Sequence, residues 1–495
     1  MRSKKGFKQL LLHVLAAFRH LKIEYYFLLI AITTGVLLVF LTPPIAVIDE
    51  ENHFFRALEL SKGNVFTDNL HHDGAYGAKL PENMVFYVYQ NKGIGLGLVP
   101  LHDPGTAKLG GQQPDPSKLR EVVYNGSAAY SPAGYIPQAT GMFIARAAKL
   151  DNAAYVYLGR ILNLLLFVIV TFFAIRIIPI GKKILFTVAL LPMTLYQAAS
   201  LSMDATAICS VFLLFALSVA LVHSKKLPRH PLILALVVAA SFIALTKYIY
   251  IVMTIPIFIY WVFSRDRSDR AKAIAISLLT VGLALLLALA WNAKLPAEVT
   301  SSASVLETGT KIISVNKQVT YLLTHPLGYA KSVINLVFFD TATSDLAVRG
   351  IIGKYGWLMD GHFTPLVSMM IGFGGLLLAA TVEKYERLTR SFETKLTVRS
   401  RRVYAALLIF AAFATVMGVI TGLYVTFTSV GSGVILGVQG RYFIPILPEL
   451  LLGMAFINPW IIEKMHVRRA TALLYSLVVL NIIYAIIVII KDYYV

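Results

Sequence analysis

From Tyr26 to the carboxyl end, apolar runs about as long as a bilayer is thick alternate with short clusters of Lys and Arg. A hydrocarbon core takes roughly 20 apolar residues per helix. That length picks out spans at Tyr26–Val47, Tyr155–Ile178, Ile184–Leu201, Ala205–Val222, Pro231–Leu245, Tyr248–Phe263, Ala271–Trp291, Phe363–Val382, Val403–Phe427, Tyr442–Ile462 and Ala470–Ile490. The fifth and sixth are short, and only Thr246 and Lys247 separate them. The expected fold class is an all-α integral membrane protein of about 11 transmembrane helices, since a lipid-exposed backbone must satisfy its own hydrogen bonds.

The basic clusters set the parity of these spans, because Lys and Arg concentrate in cytoplasmic loops. Arg2, Lys4, Lys5 and Lys8; Arg176, Lys182 and Lys183; Lys225, Lys226 and Arg229; Arg265, Arg267, Arg270 and Lys272; Lys384 through Arg402; and Lys464, Arg468 and Arg469 all fall on one side. The expectation is a cytoplasmic N-terminal segment, residues 1–25, and one polytopic domain, residues 26–495, with the tail Lys491–Val495 outside. The first span reads as a retained signal anchor, since no small-residue cleavage site follows its basic leader.

Two long segments, 48–154 and 292–362, then lie on the outer face, and both exceed ordinary turns. In the first, Glu50–Lys62 reads as a helix stopped by Gly63, and Ala133–Lys149 as a second helix. The stretch Gly93–Pro116 between them is rich in Gly and Pro and reads as loop. In the second helix Ile136, Ala139, Thr140, Phe143, Ile144 and Ala147 oppose Arg146 and Lys149, a pattern suited to lying along the membrane interface.

Composition agrees with lipid as the main solvent: 57% of the 495 residues are hydrophobic and 14% charged, against about a quarter charged in soluble chains. The net charge of +19 collects in the short clusters between spans rather than along one soluble face. It therefore follows topology and contact with anionic lipid, with no nucleic-acid partner. The single cysteine, Cys209, lies in an apolar run and offers neither an intrachain disulfide nor a thiolate metal site. His71 and His72 are adjacent rather than at i and i+4, and His102-Asp103 lies in a Pro/Gly-rich loop; both read as loop residues. Gly93–Gly97 lacks the strand and helix context of a phosphate-cradling motif.

Candidate chemistry gathers at the outer boundary. Residues Ile48 to Arg56 read Ile-Asp-Glu-Glu-Asn-His-Phe-Phe-Arg, directly after the first span. On a helix Asp49, His53 and Arg56 share one face, and the acidic residues also suit a first helical turn. Arg160, Asp204, Lys247 and Arg441 sit at span ends on the same side. A basic side chain at the bilayer centre costs about 2.5 kcal/mol or more, so one near that depth either finds a partner or ligand or snorkels to the headgroups. Gly437–Pro445 places Gln439, Arg441 and Tyr442 where the chain re-enters the membrane; Arg441 suits a phosphate, and with Tyr442 it also suits an interfacial anchor.

Several separated motifs, in order, resemble a family of predicted bacterial membrane proteins catalogued as domain of unknown function 2142 and grouped with the C-type glycosyltransferase superfamily. They are Pro43-Pro44 followed by Asp49-Glu50 and His53, Tyr130-Ser131-Pro132 with Tyr135-Ile136-Pro137-Gln138, and Leu191-Pro192-Met193 leading to Ser200-Leu201-Ser202-Met203-Asp204. Thr246-Lys247-Tyr248 and Gly437-Val438-Gln439-Gly440-Arg441-Tyr442 complete the set. The match spans nearly the whole chain; Ile48 departs from it, standing where proline is expected before the acidic pair.

The resemblance implies a C-type glycosyltransferase-like fold in the bacterial cytoplasmic membrane, acting at its outer face. The implied donor is a sugar on a polyprenyl phosphate or diphosphate, and the implied acceptor a cell-envelope glycan or lipid-linked glycan such as teichoic acid or another wall polysaccharide. Asp49 is then the general base, while Glu50 positions the acceptor or, with Asp49, holds a divalent metal ion. Arg441 and Lys247 bind the departing phosphate, and His53, Arg56, Arg160, Asp204, Gln439 and Tyr442 are further substrate contacts. Three rivals remain open: a transporter or flippase for lipid-linked polysaccharide, an outer-face polymerase or ligase, and a non-catalytic scaffold. A transporter would keep its polar groups near mid-membrane, whereas these charges collect at the rim.

Overall fold

The computed structural model describes residues 21–70, 75–224, 227–263, 265–295, 314–355, 366–389, 398–457 and 466–495. Arg2, Lys4, Lys5 and Lys8, Lys225 and Lys226, residues 390–397 within Lys384–Arg402, Lys464, and the pair His71-His72 lie outside the described residues. The described chain is mostly helical. Among the described residues nine helical segments are long and apolar enough to cross a membrane: Ile23–Leu41, Asn152–Ile177, Asp204–His223, His230–Met253, Arg267–Asn292, Leu366–Lys384, Arg402–Phe427, Gly440–Ile457 and Val467–Tyr494.

At the other two positions where the sequence pattern predicts a span, the described chain forms shorter helical pieces, each for a local reason. Ile184–Leu201 is split into Lys182–Ala189 and Pro192–Ala198, because Pro192 lacks the amide hydrogen a continuous helix needs and favours a helix start. Its far end still returns to the Asn152–Ile177 helix near its middle, where Asn163 donates to the carbonyls of Ser200 and Ser202 at 2.8 and 3.0 Å. The sixth breaks from the fifth at Lys247, whose backbone leaves the helical region (φ −141°, ψ 82°), and continues as a 3-10 turn, Tyr248–Met253, and a helix, Thr254–Phe263. Its two ends reach opposite ends of the helix array. The Tyr250 hydroxyl donates to the Tyr442 carbonyl, and Arg265 donates to the Ser224 carbonyl just past the Asp204–His223 helix.

Helix Asp204–His223 is almost wholly buried among its neighbours, whereas Arg267–Asn292 is mostly exposed. The exposed residues of the latter are Leu278, Leu286 and Leu289 and their like, an apolar surface that suits lipid. Close approach of backbones is made where side chains are absent: a Cβ at Gly141 would fall 2.4 Å from the Leu158 carbonyl oxygen.

The segment between the first two long helices is a structured cap rather than loop. Helix Glu50–Ser61 ends at Lys62, and Gly63 follows at φ +96°. Three short antiparallel strands, Asp68–Asn69, Tyr76–Pro81 and Leu119–Val123, form a sheet in that order, a departure from the all-α expectation. Part of the Gly/Pro-rich stretch is helical: Glu82–Gly95 runs into it, and Pro104–Gly110 is capped by Asp103, which accepts from the Thr106 N–H at 2.7 Å. The cap has its own core, centred on Phe54, Phe55, Leu80, Val88, Tyr124 and Met142. That core explains why the segment folds despite weak periodicity: burial across distant pieces outweighs the poor helix propensity of Gly.

The expected helix Ala133–Lys149 appears as a 3-10 turn, Pro132–Tyr135, followed by helix Ile136–Ala147. Ile136, Phe143 and Ile144 are exposed together, as the interfacial pattern requires, but Ala139 faces inward and Arg146 donates to the Ser61 carbonyl at 2.6 Å. In the other long segment, described from residue 314, helices Val315–Thr324, Pro326–Phe338 and Thr341–Ile352 are present. The last lies so close to the Gly-Arg-Tyr turn that a Cβ on Gly440 would sit 2.3 Å from the Ala347 carbonyl oxygen.

Candidate functional site at the loop-side ends of the spans

The residues singled out above separate into two ionic groups. The first is sealed. Glu50 and Arg160 are both fully buried and paired, Nε to Oε1 at 2.8 Å and an amino group to Oε2 at 2.6 Å. The Glu50 oxygens also accept from the backbone N–H groups of Leu201 and Val47 at 3.0 and 3.3 Å. Arg160 spends its remaining donors on the carbonyls of Val39, Thr42 and Pro43 at 3.1, 2.8 and 2.9 Å. This bidentate pair ties the end of the first helix, the start of the cap, the second long helix and the Leu201 turn to one point.

That clamp holds a turn the backbone would not choose freely. Ile45 and Asp49 both have positive φ, +59° and +64°, uncommon for any residue with a Cβ and a true outlier for a β-branched one. Strain of about 1–3 kcal/mol at each persists only when the surroundings over-determine it, and three carbonyl bonds from one buried guanidinium do so. The consequence is directional: Glu50 points inward and Asp49, its neighbour, points out.

The second group is open at Asp49. Arg441, buried at the start of the Gly440–Ile457 segment, donates to Asp49 Oδ2 at 2.5 Å and to the Ile48 carbonyl at 3.2 Å. Its Nε lies 3.3 Å from Asp204 Oδ2, an ion pair without hydrogen-bond alignment. Asp204 pairs on its other oxygen with Lys247. Two anions and two cations therefore alternate, Asp49, Arg441, Asp204, Lys247. The Asp49 side chain is 38% exposed, against 2%, 7% and 17% for Arg441, Asp204 and Lys247, so it is the most accessible member of the group. The Tyr442 ring lies under both cations, 4.7 Å from Lys247 Nζ and 5.3 Å from the Arg441 guanidinium carbon.

Asp204 is held by its own frame. Gln138 donates to the carbonyls of Leu201 and Ser202, both at 3.3 Å, and Asn163 to those of Ser200 and Ser202. The Ser202 hydroxyl accepts from the Asp204 N–H at 3.1 Å. Polar side chains from the cap and from the Asn152–Ile177 helix, with Ser202 of the turn itself, thus fix the turn that begins the Asp204–His223 helix.

The other expected contacts fare differently. His53 is buried beside the open group, with Nδ1 2.8 Å from the Tyr135 hydroxyl. Burial pushes its pKa down to about 4, with Asp204 and Asp49 opposing that shift, so the ring is neutral at pH 7. Arg56 does not reach the group: it donates to the carbonyls of Val65 and Tyr130 at 2.7 and 3.3 Å, bracing the end of its own helix against the following turn. Gln439 stands at the edge with a buried Oε1 lacking a hydrogen-bond partner. Two residues without an assigned role in the sequence reading, Tyr130 and Tyr135, are brought to the group. Burial raises the pKa of both phenols, with Asp49 and Asp204 adding to it. Their signal was present in the Tyr-Ser-Pro and Tyr-Ile-Pro motifs, which name no chemistry by themselves.

Asp49 and Glu50 do not form the paired cation site considered for them. Glu50 has both oxygens committed to Arg160 and backbone donors, and it turns away from Asp49. Among the described residues no group of three or more His, Cys, Asp or Glu side chains converges as metal ligands.

Fold and site together define a polytopic membrane protein with a charge-balanced polar group at the loop-side ends of its helices. The chain matches the model of the predicted membrane protein family DUF2142 over residues 32–450 and belongs to that family. No curated protein and no solved structure matches it.

Proposed function

We propose that this chain is a membrane glycosyltransferase. It moves a sugar from a polyprenyl-phosphate or polyprenyl-diphosphate donor to a cell-envelope glycan or lipid-linked acceptor at the outer face of the bacterial cytoplasmic membrane. The observation that carries this reading is a half-exposed carboxylate, Asp49, grouped with a buried cation, Arg441, and a half-buried one, Lys247, at the ends of membrane helices. A lipid-linked donor presents its phosphate and sugar at that depth, and the exposed carboxylate and the cations are the groups its displacement needs.

In this mechanism the donor phosphate takes over Arg441 and Lys247 and releases Asp49 from its ion pair. The acceptor hydroxyl oxygen attacks the anomeric carbon while the bond from that carbon to the phosphate oxygen breaks. Asp49 takes the hydroxyl proton, and the leaving phosphate departs with the bonding pair. Its charge is offset by the two cations, which Asp204 keeps in place before the reaction starts. A single displacement inverts the anomeric centre. Glu50 contributes by aiming Asp49, and Tyr442 keeps the cations apart while its ring stabilises both.

The test is the glycan composition of the envelope in a deletion strain complemented by wild type or by Asp49→Asn at matched membrane levels. A sugar restored only by wild type supports transfer and names the product. Restoration by both removes Asp49 from catalysis and favours the transporter or scaffold reading.

A further inference from the structure

Between the cap and the end of helix Arg267–Asn292 lies a second feature the transfer mechanism does not use. A cavity of about 140 Å3 is lined by Phe66, Thr67, Tyr76, Ala128, Trp291 and Lys294, with Leu295 beside them. Phe66 and Trp291 form one wall, stacked with ring centroids 5.4 Å apart and planes 7° from parallel. Phe66 is half exposed. The Thr67 hydroxyl lies close to the buried Tyr124 phenol without completing a well-aligned hydrogen bond, and Lys294 is exposed at the mouth.

Trp291 is placed where an interfacial tryptophan would anchor a helix to headgroups, but its polar handle is used otherwise. Its Nε1–H donates to the Ala129 carbonyl at 3.0 Å, so the ring is fixed against the cap. The same short stretch of chain connects the cavity to the ion cluster. Ala128 lines the cavity, and Tyr130 lies within electrostatic reach of Lys247, Asp204 and Asp49. No more than about 7 Å of backbone separates the Cα atoms of these two residues.

A rigid aromatic wall, a hydroxyl and a cation at the mouth match a sugar ring, whose C–H face packs on an aromatic surface while its hydroxyls need polar partners. We propose that this cavity is a saccharide subsite that holds a sugar unit of the acceptor glycan, with Lys294 favouring an acidic substituent. The word acceptor rests on the glycosyltransferase reading; saccharide binding itself does not.

The experiment uses the purified full chain and saturation-transfer NMR with two probes, neutral chitotetraose and acidic tetragalacturonate. Wild type is expected to bind at least one probe. Trp291→Ala weakens that binding by about tenfold or more, while Trp291→Phe, which keeps an aromatic wall, stays within about threefold. Lys294→Ala weakens tetragalacturonate selectively. Should Trp291→Ala fail to fold, Phe66→Ala removes half of the same wall from an exposed position and is expected to show the same loss. Absence of binding by wild type to both probes, or unchanged affinity in folded wall variants, overturns the subsite. The two readings fail separately. If Asp49→Asn still restores the envelope glycan, transfer at Asp49 falls while saccharide binding stands. If Asp49→Asn abolishes the glycan but the wall variants change neither binding nor product, the subsite falls and transfer stands.

Discussion

Two acidic residues adjacent in sequence, Asp49 and Glu50, end in opposite environments, and their difference separates structure from chemistry in this protein. Glu50 is fully buried, and its partner Arg160 binds three carbonyls besides. Asp49 is exposed on one side and shares Arg441 with Asp204. A buried charge pair whose every lone pair and donor is used has nothing left to offer a substrate. A pair open to solvent can exchange partners, which is what a binding or reacting group must do.

The comparison is broken most severely at the sealed pair. Glu50→Gln leaves the Arg160 charge uncompensated in the interior, and removing one member of such a pair costs about 3–5 kcal/mol. The expected outcome is loss of the protein from the membrane fraction, read by immunoblot and by thermal unfolding of whatever remains. A double variant, Glu50→Leu with Arg160→Met, is expected to recover part of that stability, since hydrophobic replacement of both partners removes the desolvation cost. Normal accumulation of Glu50→Gln would show that the clamp does not hold the turn.

His53 gives the next effect. Its folded pKa of about 4 lies below the ordinary 6.5, so the unfolded chain binds the proton more tightly. Stability from the neutral ring is complete above pH 6.5 and is lost as pH falls toward 4, by about 3 kcal/mol in total. A thermal-unfolding series from pH 7.5 to 4.5 should show this fall, and His53→Phe should flatten it. An equally steep fall in His53→Phe would assign the pH dependence to other groups.

At the open pair the expected losses are in binding rather than in folding. Arg441→Gln removes a charge-assisted interaction worth about 1.5–3 kcal/mol, read as roughly ten- to hundredfold weaker binding of the lipid-linked donor with acceptor binding unchanged. Equal weakening of both would argue against a phosphate role. The smallest effect on stability is expected for Asp49→Asn, within about 1 kcal/mol of wild type because exposed ion pairs contribute little. A larger loss would place Asp49 with the sealed group and undo the contrast.

Much of the fold was legible because lipid imposes a simple length rule, and helical segments long and apolar enough to cross a membrane appear at nine of the expected positions among the described residues. The two broken ones mark where a linear pattern fails. Hydropathy records composition, while Pro192 and the backbone of Lys247 decide where a helix stops. The cap was harder to read. Its short strands and its helices at Glu82–Gly95 and Pro104–Gly110 are fixed by contacts between distant pieces, and no local period announces them.

The sequence alone determined a membrane-embedded helical protein and gathered Asp49, Asp204, Lys247 and Arg441 at the ends of spans on one side. Lipid forces apolar runs and charge clusters into that order whatever the detailed packing. Only the tertiary structure decided that Glu50 is consumed by Arg160, that Arg56 braces the cap, and that Tyr130 and Tyr135 join the cluster. Burial and partner choice depend on residues far apart in the chain, 392 positions for Asp49 and Arg441, and the direction of a side chain at positive φ is set by what packs around it.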